Sequence, residues 1–102
     1  MMKLLIVTSV SEFQKEILNL FKKAKIEAFS RSEIDGYKNT NPVIATMSWF
    51  PGEKAGNESL MFFSFTKEEK IDLMATLVSE FNKTLETNNP IRLAVVNIEK
   101  FI

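Results

Sequence analysis

Apolar residues recur along this chain in two rhythms, and the alternation between them sets out an order of elements. Leu4 to Thr8 is a continuous apolar run closed by Ser9-Val10-Ser11, the pattern of a buried strand. Phe13, Ile17, Leu20, Phe21 and Ala24 then fall on one stripe of a helix, with Lys15, Glu16, Asn19, Lys22 and Lys23 turned to water. Ser11 and Gln14 fit a capping box at its start, and Lys22, Lys23 and Lys25 suit the negative end of its dipole. Ile26, Ala28, Ser30, Ser32 and Ile34 alternate with Glu27, Phe29, Arg31, Glu33 and Asp35. This predicts a second strand, more polar and nearer an edge, stopped by the Asp35-Gly36 turn signal. Leu60 to Phe65 reads as a central strand dense in aromatics. Thr66 and Glu69 predict a second capping box, and Ile71, Met74, Val78, Phe81 and Leu85 form a helical stripe that Asn88-Asn89-Pro90 stops. Ile91 to Ile98 is the last strand.

The order strand, helix, strand, strand, helix, strand predicts an α+β fold in a single domain, residues 1–102. It is the ferredoxin-like βαββαβ sandwich, two layers with both helices on one face of a four-stranded antiparallel sheet. The first, third and fourth strands are apolar on both sides: Leu4 and Ile6 oppose Leu5 and Val7, Leu60 and Phe62 oppose Met61, Phe63 and Phe65, and Leu93 and Val95 oppose Ala94, Val96 and Ile98. The helices can cover only one of these sides. The other is a large apolar surface, which points to an oligomer, or to a cover formed by the long connection between the second and third strands.

Composition narrows the chemistry. One domain fits 102 residues and 11.7 kDa. Thirteen basic and thirteen acidic residues cancel, so no global field gathers nucleic acid or a membrane surface. The chain has no Cys and no His, the usual nucleophiles, bases and transition-metal ligands. The apolar stretch near the N-terminus, Leu4 to Val7, is too short for a membrane span or signal sequence, so we expect a cytoplasmic protein without direct membrane insertion. Glu33 and Asp35 share a strand face and in principle share a proton or hold Mg2+. With no other organised acid, base or nucleophile beside them, the expectation is a protein that is not an enzyme.

The long connection, Gly36 to about Glu58, holds the only Trp, the only Tyr, all three Gly and two of the three Pro. Connections of that length are usually functional or disordered. Pro42 to Pro51 reads as a proline-bounded strand that Pro51-Gly52 to Gly56-Asn57 turns back as a hairpin. Within the connection, Gly36, Tyr37 and Lys38 are candidates for contacting a ligand or partner, or for a solvated turn. Met47, Trp49 and Phe50 offer a soft thioether and aromatic faces that suit Cu(I) or Ag(I), or else pack on their own hairpin or a neighbouring subunit. Arg92 and Lys100 are basic residues available to approach an anion, or are simply surface charges.

Ser32-Glu33-Ile34-Asp35-Gly36-Tyr37 is similar to the T-E-V-x-G-F/Y at the end of the second strand of PII-like proteins. Together with the element order, the long connection after Gly36 and the ending Val95-Val96-Asn97-Ile98-Glu99-Lys100-Phe101-Ile102, it makes the whole chain resemble the PII-like superfamily, as a divergent relative of the PII nitrogen-regulatory signal proteins. The resemblance implies a homotrimer with its sheets around a central axis, ligands in clefts between subunits, and residues 36–58 as the T-loop that meets a target. In classical members the T-loop responds to bound ATP or ADP, and signal transduction is the role implied. An adenine nucleotide is one candidate ligand here; the ligand is left unknown because the phosphate-loop residues are missing. Two features depart from the typical pattern: Thr87-Asn88-Asn89-Pro90-Ile91-Arg92 has no Gly or Lys where typical members carry a phosphate-binding loop, and Glu99-Lys100-Phe101-Ile102 stands where typical members run into a basic segment. Divergent members are associated with transport and heavy-metal efflux, so a membrane transporter or efflux system is the implied partner. A metal-tolerance protein of the CutA-like kind is the alternative.

Overall fold

The computed structural model describes residues 1–36, 57–85 and 89–102. Tyr37, Lys38, Met47, Trp49 and Phe50, the proline-bounded hairpin, and Thr87 and Asn88 of the expected phosphate-loop position all lie outside the described residues.

The elements are β1 (Met2–Val10), a 3-10 turn (Ser11–Phe13), α1 (Gln14–Lys23), β2 (Ser30–Gly36), β3 (Asn57–Lys67), α2 (Glu68–Lys83) and β4 (Arg92–Asn97). The four strands form one antiparallel sheet in the order β2-β3-β1-β4. The polar second strand is at an edge, as its alternation implies. Val7 faces Phe62 on one side and Leu93 on the other, so these three residues share a face. Side chains alternate along a strand, which puts Leu5, Leu60 and Phe62 on that face too. Here Ile17, Leu20 and Phe21 of α1 and Ile71, Met74 and Val78 of α2 close the core. Burying each large apolar side chain contributes about 1.5–3 kcal/mol. Phe21 stacks on Phe29 at 4.3 Å, and its ring centroid is 5.7 Å from that of Phe62. Phe13 meets Phe81 edge-on at 6.0 Å, so the start of α1 lies beside the end of α2 and the helices run antiparallel.

The opposite face carries Leu4, Ile6, Phe63, Phe65, Ala94 and Val96 in register. Phe65 is 46% exposed and Val96 43%. Phe101 lies 5.3 Å from Phe65, so the segment after β4 turns onto this open face.

Several local expectations are corrected. Neither helix has a side-chain cap at its N-terminus. Ser11 is taken into the 3-10 turn and α1 begins only at Gln14. Thr66 stays in β3, buried and paired with Lys3, so α2 starts after Lys67 with Glu68 and Glu69 at the positive end of its dipole. The second strand starts at Ser30 rather than Ile26, because the backbone before it ends α1. Lys25 takes φ 60, its N–H bonds to Lys22 O, and Ile26 N–H bonds to Phe21 O at 3.0 Å. This is a Schellman closure, and it seats Ile26 in the core against the helix it ends. The Ser64 hydroxyl then donates to Ala28 O at 2.6 Å in place of a ladder bond. Leu85 falls outside α2, which stops at Lys83; the Thr84 N–H and hydroxyl both turn back to Phe81 O.

Candidate functional site

β2 and β3 stay paired to the boundary of the long connection, where Gly36 faces Asn57 and Asp35 faces Glu58. Because side chains alternate, Arg31, Glu33, Asp35 and Glu58 all project from the helix-covered face at this end of the sheet. A cavity of about 400 Å³ opens there between the edge strand and the start of α1, lined by Ser11, Gln14, Arg31, Glu33, Asp35 and Glu58 among others. Arg31 donates from Nη1 to Gln14 Oε1 at 3.2 Å and stands 3.7 Å from Glu33 Oε1, tying strand to helix. The Ser32 hydroxyl donates to Glu33 O at 3.3 Å. Asp35 and Glu58 are like charges directly opposite across the ladder, an arrangement that costs stability. No group of three or more His, Cys, Asp or Glu suited to a metal ion occurs among the described residues.

On the other face of the same end, Thr8 pairs with Met61 and Arg92, and Val10 pairs with Ser59. Thr8 Oγ1 and Ser59 Oγ are buried without a hydrogen-bond partner. Arg92 is exposed and opens β4. Gly36 and Arg92 therefore stand toward the same end of the sheet but on opposite edges, three strand spacings or roughly 14 Å apart across it, and by register four residues, roughly 13 Å, apart along it. Lys100 lies past the far end of β4, so the distance from Arg92 is about a strand length, roughly 17 Å of extended chain to Asn97 alone. One subunit thus does not gather Gly36, Arg92 and Lys100 around one point.

Asn82 and Ile91 hold the connection between α2 and β4. The Asn82 carboxamide donates to Ile91 O at 2.8 Å and accepts from Ile91 N–H at 2.9 Å. Arg31, Glu58 and Asn82 were not assigned to any site in the sequence, and Gln14 was read only as half of a capping box. Only the shared face of Arg31 with Glu33 and Asp35 was visible in the alternation.

No family model matches the chain, and no curated protein matches it significantly. Solved structures do. CPII, a nitrogen-regulatory PII-like protein from Thiomonas intermedia K12 bound to ADP, AMP and bicarbonate, matches with a TM-score of 0.63 at 10% identity, over 99% of this chain and 96% of that one. GlnK of B. subtilis matches at 0.65 and 12% identity, over 96% and 85%. Its complex with ATP matches at 0.64 and 12%, over 96% and 84%. No described helix is long and apolar enough to cross a membrane. At such identities the likeness speaks for architecture alone, and on that ground the chain has the PII-like fold.

Proposed function

We propose that the protein is a non-enzymatic PII-like regulator. Three copies assemble through the open sheet face, a small ligand binds in the clefts between them, and residues 36–58 are presented to a target. The observation that carries this reading is the match over nearly the whole chain to PII-like structures solved with ADP, AMP and bicarbonate or with ATP. The exposed face bearing Phe65, Val96 and Phe101 supports the assembly, since an apolar patch of this kind marks an interface more often than free surface. Arg92 of one copy and the Gly36 edge of another are the groups such a cleft would bring together. Ligand binding selects one conformation of the presented segment over others, and a membrane transporter or efflux system is the target we assign by resemblance.

The ligand class is an adenine nucleotide, held without a Gly- and Lys-rich phosphate loop. The test is the melting temperature of the purified protein with and without millimolar ATP, ADP and AMP. A ligand present at a hundred times its Kd and bound only to the folded state adds about 2.7 kcal/mol, enough to raise Tm by several degrees or more. A rise with any of the three supports nucleotide sensing. Unchanged midpoints with all three overturn it.

A further inference from the structure

The end of α1 and the start of α2 enclose a second concavity, on the side of the helices away from the β2–β3 cavity's acidic lining. Its volume is about 590 Å³, within the range of roughly 300–1,000 Å³ usual for small-molecule sites. Leu18, Ile26 and Phe29 give it an apolar lining, and Lys22, Lys25 and Lys70 stand around it. Glu27 is the one acidic residue in the lining, so the wall carries a net positive charge. None of the three lysines makes an ion pair among the described residues.

The bland account of these lysines is helix capping, and the geometry removes it for the closing turn. In the closing turn of α1 the carbonyls of Leu20, Phe21 and Lys22 are already satisfied by the backbone N–H groups of Ala24, Ile26 and Lys25. Those three carbonyls do not need the ammonium groups of Lys22 and Lys25. Lys70 comes from the opposite wall, in the first turn of α2, whose dipole is already met by Glu68 and Glu69. Lys25 also holds a left-handed backbone, φ 60, where glycine would be free of strain. That conformation is set by the Schellman closure, which leaves Lys25 in the lining of the groove.

We propose that this groove binds a small amphipathic anion, an aromatic or alkyl body carrying a phosphate or carboxylate. The body lies against Leu18, Ile26 and Phe29, and the anionic head meets Lys22, Lys25 and Lys70. The site is separate from the Gly36 and Arg92 end of the sheet, so it does not depend on the nucleotide reading.

The experiment is a titration of the full chain with 1-naphthyl phosphate, followed by amide chemical shifts, with uncharged 1-naphthol and inorganic phosphate as controls. Saturating shifts should centre on Lys22 to Phe29 and on Lys70. Lys22→Glu with Lys70→Glu should weaken binding by at least about tenfold, because each reversal turns an attraction into a repulsion. If that variant fails to fold, the neutral Lys22→Gln, Lys70→Gln pair takes its place and should also weaken binding. 1-Naphthol should bind at least about tenfold more weakly than the phosphate ester. Shifts centred on the open sheet face or on the Arg31 cavity, equal binding of 1-naphthol, unchanged affinity in the lysine variant that folds, or no binding at all overturn the proposal.

Discussion

The side-chain amide of Asn82 holds the backbone of Ile91 by both its N–H and its carbonyl, at 2.9 and 2.8 Å. It works as one rung of a ladder would, joining the last turn of α2 to the residue before β4. Ile91 is buried in the core, so the clamp also fixes where β4 enters the sheet.

Replacing Asn82 with Ala removes two part-buried hydrogen bonds and leaves their backbone partners to find water. The expected loss is about 2 kcal/mol, a fall in Tm on the order of 10 °C. Asn82→Asp keeps an acceptor for the Ile91 N–H but sets a carboxylate against the Ile91 carbonyl, and should not restore full stability. Thermal melts at one protein concentration check both.

Lys25 closes α1 with a conformation that costs a non-glycine residue about 1 kcal/mol. Lys25→Gly keeps the closure and should raise Tm by a few degrees. A fall would show that the lysine side chain contributes more to the fold than its backbone strain costs.

Thr8 buries a hydroxyl with no partner, and such groups cost roughly 1–3 kcal/mol. Thr8→Val has nearly the same shape and should stabilise the unliganded protein by about 1 kcal/mol. A urea midpoint that moves up with an unchanged slope is the expected record.

Val96 stands on the open face beside Leu4, 43% exposed in a single subunit. Val96→Asp should leave the far-ultraviolet circular dichroism of the chain unchanged and break its assembly. Light scattering on wild type and variant should read three copies of the 11.7 kDa chain and one copy respectively. A wild-type protein that scatters as one copy sinks the trimer.

The sheet was legible in the sequence because side chains on a strand alternate strictly. That Leu5 and Val7 share one face and Leu4 and Ile6 the other followed whatever the details of pairing, and β2 announced its edge position by its polarity. Which face the helices cover did not follow, because both are apolar, and only the structure buries Leu5 and Val7. The helical stripes were legible for the same kind of reason. Helix ends were not. Lys25 occupies the left-handed position where glycine is the usual signal, so the Schellman closure left no mark in residue types. Thr66 has the chemistry of a cap, yet β1 holds it in the sheet. The cavity near Gly36 was legible only in part. Glu33 and Asp35 declared a shared face, but Glu58 joins them only through a pairing that spans the long connection, and Gln14 only through the packing of α1 on the sheet. Of the residues proposed for the ligand or partner, Gly36, Arg92 and Lys100 can be placed, and they do not converge within one subunit.

Gly36 and Asn57 face each other as the last pair of the β2–β3 ladder. The twenty residues between them therefore begin and finish at neighbouring positions on one rigid edge. Lengthening such an insert costs little, about 0.6 kcal/mol for each doubling. The ladder thus works as a socket whose two contacts stay in place when the length between them changes.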